Sequence, residues 1–376
     1  MINMILYYVL FFTLFPITKQ TELKYLDKVG EVSFPLDNVT GFKAFTLQYW
    51  EDFNSKKKYL CVINFPARSY NLKFYNYDTG ILDFSVELNT EGPNSTGIYP
   101  LGFHVHNRDS IFIFSDREGQ LSIIDQKGTV KSKHLILDTS GNKVPSGFVS
   151  TSHPMVYHDR KIYINGFFRE DVLDHTKVKQ DICLNLETGD FEYIIPRPKL
   201  YNDGFWGSHY LTRIYHSYNN KEESLLISFG ADPNIYRYTI NDLTSQAIEC
   251  RSKYLGRLKP LGSKGSKHAE ESKFKYEGTS GSYGAIIYDS YQELYYRIVQ
   301  LPSSDSKYKF SPKLFKGTSL IIMNSQFKII GEDLLPNEYD PYMFFVNEKG
   351  LHLANKSKYD QDEDNMVFDI FKTKVR

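Results

Sequence analysis

Cysteine is nearly absent: three residues in 376, at Cys61, Cys183 and Cys250, with no C-x-x-C spacing. An odd, widely spaced set excludes a disulfide framework and a cysteine zinc site, so each reads as a small buried hydrophobe. Tryptophan is scarcer still; Trp50 and Trp206 are the two in the chain, which excludes tryptophan–aspartate repeats. Net charge is missing as well. Lys+Arg and Asp+Glu balance at 45 each, so no overall field draws the chain to nucleic acid or an anionic surface. There is no G-x-S-x-G elbow, no H-E-x-x-H and no P-loop, and the main hydrolase and nucleotide signatures go with them. Ser115-Asp116-Arg117-Glu118-Gly119 partly matches the S-x-D-x-G turn of sialidase propellers, but in the wrong register and without the following tryptophan. No helical-period segment longer than about three turns stands out.

What the chain has is aromatic β-type runs. Phe, Tyr and Trp make up 15% of it, with 29 Tyr and 27 Phe, and such residues suit half-buried pleated surfaces. Residues 110–137 set the pattern: IFIF, LSII and VKSKHLIL, separated by short polar gaps closed by Gly119 and Gly128. Glycine reaches the positive φ that tight hairpins need, so the stretch predicts a meander of antiparallel strands. Variants recur over 59–88, 161–196 and 224–250, then more loosely over 283–335 and 342–371. Turn glycines Gly80, Gly128 and Gly189 lie 48 and 61 residues apart. A period of about 50 with several strands per unit is that of propeller blades. The expected fold is all-β: a single closed β-propeller of about six four-stranded blades over 21–376. Closure requires a strand from Leu23–Leu36 to join the last blade.

Three segments break the repeat. Met1–Thr18 carries no charged side chain and has an apolar core at Ile5–Phe15. Residues 1–20 therefore read as a signal peptide, or as an anchor if uncleaved, and place the protein outside the cytoplasm: periplasmic, cell-surface or secreted. Membrane contact is expected only through that segment. Residues 251–282, rich in Lys, Gly and Ser, read as a long mobile loop; its first half is basic, yet a solvated loop is the expectation and no nucleic-acid partner is. Residues 356–365 read as a charged surface loop. Asp360, Asp362 and Asp364 there lack the glycine and distal glutamate of a calcium loop.

With the blades in view, several stretches carry a family resemblance: KFYNYDTGILDFSVELNTEGPN (73–94), GFHVHNRDSIFIFS (102–115), LISFGADPNIYRY (226–238), IIYDSYQELYYRIV (286–299) and LIIMNSQFKIIGEDLL (320–335). In this order, over most of the chain, they resemble a family of exported Bacteroidetes proteins, a domain of unknown function with a six-bladed propeller-like fold. The stretch Glu91-Gly92-Pro93-Asn94 is similar to a motif of related six-bladed propellers. The resemblance implies fold and export and leaves activity open. Many members look like lipoproteins; this chain departs from them by lacking the cysteine that would take the lipid.

Candidate chemistry is sparse. His104-Val105-His106 would place two imidazoles on one strand face. A third metal ligand would have to come from another blade, with His153, His158 and His209 available, and no spacing makes them converge. The pair reads as structural, and neither metal nor cofactor is expected. The loop 201–210 (YNDGFWGSHY) mixes aromatic faces with Asn, Asp and His, the materials of a carbohydrate or peptide site or of an inter-blade wedge. Tyr295 and Arg297 share a strand face, and an arginine directed at the channel would clamp a carboxylate; an arginine buried against an acid is the other reading. The expected site joins Asn94, Trp206, His209 and Arg297 on one side of the ring, with Trp206 partly exposed. The expected function is a non-catalytic exported module that binds a protein, peptide or glycan. The alternative is a hydrolase or lyase acting on carbohydrate, which would need two ionisable residues with shifted pKa values converging at the axis.

Overall fold

Strands that are apolar on both faces need a neighbour on each side, and a ring of sheets provides one. The computed structural model describes residues 23–37, 40–66, 69–136, 147–166, 174–207, 210–242, 244–303 and 317–374; the N-terminal apolar segment lies outside them. Among the described residues, six four-stranded antiparallel sheets form a six-bladed β-propeller. The first blade is β2 (Thr40–Glu51), β3 (Lys58–Pro66), β4 (Tyr70–Asn76) and β5 (Leu82–Leu88). The second is β6 (Gly102–Asn107), β7 (Ser110–Ser115), β8 (Gln120–Ile124) and β9 (Val130–Leu135). The third is β10 (Val156–His158), β11 (Lys161–Ile164), β12 (Ile182–Asn185) and β13 (Phe191–Tyr193). The fourth is β14 (Ile214–Asn219), β15 (Ser224–Phe229), β16 (Asn234–Thr239) and β17 (Ser245–Glu249). The fifth is β18 (Ser282–Asp289), β19 (Leu294–Gln300), β20 (Thr318–Met323) and β21 (Ile329–Leu335). The sixth joins β22 (Tyr339–Asn347), β23 (Gly350–Asn355) and β24 (Asn365–Thr373) to β1 (Leu26–Pro35), from the start of the described chain.

β1 closes the ring as expected. It pairs antiparallel with β24 from Leu26↔Thr373 to Pro35↔Asn365. Its entry is fixed by Asp333 of β21, whose carboxylate accepts the backbone N–H groups of Lys24 (2.9 Å), Tyr25 (2.8 Å) and Leu26 (3.0 Å). The period-2 pattern then sorts side chains into six core clusters, one at each blade interface. On β3, Tyr59, Cys61 and Ile63 face the second blade while Leu60 and Val62 face the sixth. On β19, Leu294, Tyr296 and Ile298 face the sixth blade while Tyr295 and Val299 face the fourth. All three cysteines are free and buried.

The two ends of the ring differ. One carries tight turns such as 77–81, 125–129 and 186–190. Asn76 and Asn185 cap theirs by accepting the backbone N–H groups of the residues two and three positions on, and Gly80 (φ 73°) and Gly189 (φ 77°) supply the left-handed residue. The other end carries the connections between blades and the long hairpins, among the described residues 89–101, 147–155, 174–181, 194–207, 210–213 and 250–281. Within 251–282, expected to be wholly a loop, residues Glu270–Thr279 form a helix, α1. Two acids in its first turn and a Lys273–Glu270 contact (2.9 Å) favour the helix there, although Phe274 and Tyr276 are its only large apolar residues. Lys356–Tyr359 in the sixth blade's charged loop is a short second helix, α2.

Asp333→Ala removes the acceptor of three backbone donors at the ring's closing strand. It is expected to lower stability by roughly 1–3 kcal/mol, measured by urea denaturation; an unchanged midpoint would show that β1 is held by pairing alone. A second expectation concerns pH. Burial holds the imidazoles of His104, His175 and His352 down at about 4, in folded structure. Each binds a proton more readily unfolded than folded, so each contribution is complete above the ordinary histidine range and is lost as pH falls toward 4. Burial pushes the carboxyls of Asp116 and Asp289 up, which acts in the opposite sense, so a variant isolates the histidine part. His352→Asn should flatten the fall of the unfolding free energy between pH 6.5 and 4.5, measured by urea denaturation, by up to about 1.4 kcal/mol per pH unit; parallel curves for the two proteins would refute the linkage.

Candidate functional site

Because loops at the connection end are long and converge near the axis, chemistry can be added there without disturbing the strands. A cavity of ≈ 510 Å³ opens at this end, between the second, third and fourth blades and α1. Phe148 and His153 reach it from the connection before β10, Asn165 and Gln180 from the loop between β11 and β12, and Thr212 and Arg213 from the segment before β14. α1 contributes Glu270, Lys273, Phe274 and Glu277, and Phe274 is 53% exposed. The Arg213 guanidinium lies over the rings of Tyr210 (4.9 Å) and Phe148 (5.9 Å), which fixes its long side chain at the wall.

A fully buried polar group backs this cavity. The Asp181 carboxylate lies 2.7 Å from His216 Nδ1 and accepts from Asn165 Nδ2 at 3.2 and 3.3 Å. His216 Nε2 sits 2.6 Å from the carbonyl of Pro154, which can only accept, so that nitrogen carries a proton. Both imidazole nitrogens are thus occupied and the buried acid is paired. One atom is left over: Asn165 Oδ1 is buried with no hydrogen-bond partner, on a residue that lines the cavity. Nearby Gln180 is engaged at both ends, donating to Gly166 O (3.0 Å) and accepting from Arg197 Nε (3.2 Å).

The residues singled out in the sequence fall elsewhere. Asn94 is exposed and accepts the backbone N–H of Val130, at the start of an outermost strand, so it sits at the rim. His209 lies outside the described residues. Trp206 is 5% exposed rather than open to solvent. Its indole packs in the cluster between the third and fourth blades, against Tyr201, and donates Nε1–H to Leu200 O (3.3 Å); burial of its apolar rings outweighs exposure where such a partner exists. Arg297 does share a face with Tyr295, but that face looks at the fourth blade and not down the channel. Its guanidinium is fully buried. It donates to the carbonyls of Pro233 (2.7 Å), Asp232 (2.7 Å), Cys250 (3.1 Å) and Asn234 (3.2 Å), and Nε–H to Ser228 Oγ (3.0 Å). It is therefore neither a free clamp nor an arginine paired with an acid. Trp206 and Arg297 do meet at one place: both adjoin a second groove, of ≈ 650 Å³, lined by 198–206, 231–236 and 251–260, with Arg297 under its floor.

His104 and His106 share a face, as their spacing requires, and look toward the third blade, where His106 lies 4.5 Å from Tyr157. Burial lowers both imidazoles, His104 to about 4. His153 is instead held by Ser150 and Ser152 Oγ (3.1 and 3.0 Å), and His158 by Tyr218 OH (2.7 Å). Among the described residues no group of three His, Cys, Asp or Glu is placed to hold a metal ion. Asp362 spends its carboxylate on Asp364 N (3.1 Å) and Asn365 Nδ2 (2.8 Å). The residues that sequence reading missed, Asn165, Asp181 and His216, come from two blades and have no spacing that links them.

Comparison with known proteins fixes the family. Residues 22–334 match the model of a domain of unknown function, DUF4221. A solved member of that family from Bacteroides vulgatus is similar over 95% of this chain and 99% of its own, at 23% identity and a TM-score of 0.78. A Bacteroides fragilis protein named for inferred export is similar over 94% and 95%, at 11% identity and a TM-score of 0.54. At these identities the likeness is one of fold. Comparison with functionally curated proteins finds no match. The match over residues 22–334 makes this chain a member of the DUF4221 family.

Proposed function

We propose that this protein is a non-catalytic binding module that holds a glycan in the cavity at the connection end of the axis. The observation that carries the reading is Asn165 Oδ1, an orphaned buried acceptor on a residue lining a cavity of ≈ 510 Å³. An unmade buried hydrogen bond costs about 1–3 kcal/mol, and a hydroxyl donor from a ligand would recover it. Three carboxylates, Asp116, Glu270 and Glu277, and two cations, Arg213 and Lys273, line the same cavity, so a ligand rich in hydroxyls finds both acceptors and donors there. The exposed ring of Phe274 offers an apolar platform for the C–H face of a sugar. A volume of this size is in the range of small-ligand pockets. Export of the protein is part of the same proposal. It rests on the uncharged segment Met1–Thr18, with the inferred export of the Bacteroides fragilis neighbour as a weaker support.

Screening the full chain on a glycan array, followed by calorimetry on retained glycans, tests the reading. Phe274→Ala, on an exposed helix face, is expected to weaken binding about fivefold to tenfold, the loss of one aromatic contact. Retention of peptides but no glycans, or equal affinity in the variant, would refute it. Cell fractionation checks the second part: full-length protein in the soluble cytoplasm would contradict export.

A further inference from the structure

We propose that the second groove, between the connection 194–213 and the segment 250–260, binds a small, multiply charged oxyanion. Four cations line it: Lys199, Arg251, Arg257 and Lys259, all exposed. Arg251 has one loose contact, Glu249 at 3.5 Å. Among the described residues the other three make no ion pair.

The charge under the floor is the independent observation. Arg297 is buried and finds carbonyl and hydroxyl acceptors in place of a carboxylate, and residues 232–234, whose carbonyls it collects, form part of the groove wall. Carbonyl dipoles satisfy its N–H groups and leave its net charge in place. That charge lies against the lining: the guanidinium carbon sits 3.9 Å from the ring centre of Tyr283, which lines the groove. Asp203 and Asp232 are the acids in the wall, and the Asp232 carboxylate is already engaged by Asn234 N (2.9 Å) and Tyr236 OH (2.7 Å). Four cations and two carboxylates thus line the groove, with the buried Arg297 beneath it, in a chain whose total charge is balanced.

The same wall argues against a nucleic-acid strand. Trp206 and Tyr283 are 5% and 2% exposed, which leaves the half-buried Tyr236 as the one lining ring with an accessible part, too little for successive bases to stack on. A groove of ≈ 650 Å³ suits a small molecule carrying phosphate, sulfate or carboxylate groups.

Calorimetry on the full chain with pyrophosphate, and separately with citrate, tests this. Saturable binding of one or both is expected, weakening about tenfold from low to physiological salt as screening sets in. Acetate should bind at least tenfold more weakly. The triple variant K199Q/R257Q/K259Q, all surface positions, should lose binding about tenfold or more with its circular dichroism unchanged, and Phe274→Ala should bind as the parent does. Trp206 is the local reporter, with Trp50 in the core between the first and second blades; its emission in a Trp50→Phe background should shift on saturation. Absence of saturable binding, or full affinity in the triple variant, overturns the proposal. So does binding confined to dextran sulfate or single-stranded DNA. Which probes separate phosphate from carboxylate recognition is read from the relative affinities of pyrophosphate and citrate.

Discussion

The ring is closed by hydrogen bonds, not by the covalent chain. The first described strand supplies the outer edge of the last blade, so every other interface depends on β1 staying paired with β24. Three features converge on that seam. Phe34 of β1 is fully buried with Tyr75, Tyr77 and Phe368 around it. Asp333 gathers three N–H groups at the strand's start. Gly80 lies so close that a Cβ there would meet Ser33 O at 2.6 Å, which leaves room for no larger residue in that turn. With the seam made, both faces of each blade are buried, and the strands can be apolar throughout.

Much of this architecture is legible in the chain because period 2 and turn chemistry act locally. The runs at 59–88, 110–137 and 224–250 correspond to the three outer strands of their blades. The innermost strands are harder to read. They follow no common pattern: β10 is three residues long and β14, IYHSYN, mixes polar and aromatic side chains, whereas β2 has twelve residues and β18 eight, all eight of them buried. α1 was hidden for a related reason: a charged helix lying over a cavity needs no apolar stripe, so the periodicity that marks a helix is missing.

The sites were less legible, since they depend on which side chains meet across blades. The loop 201–210 is rich in aromatics, and Trp206 in it packs as a wedge between the third and fourth blades. Arg297 is special for a reason no spacing carries: its acceptors are carbonyls of Asp232 and Pro233, 65 and 64 residues earlier in the chain, and of Cys250, 47 residues earlier. Asn165 and His216 are joined only by the third and fourth blades lying side by side. Charge, likewise, is balanced over the whole chain and unbalanced in one groove.

The division of labour between the two ends of the ring is the centre of this account: tight, capped turns hold one end, and the cavities proposed as binding sites open at the other. Hydrogen–deuterium exchange with and without a bound glycan tests it most directly. The account predicts slowed exchange in 147–166, 210–217 and 270–279, with the turns 77–81, 125–129 and 186–190 unchanged. Protection confined to those turns would place the ligand on the opposite end and contradict the account.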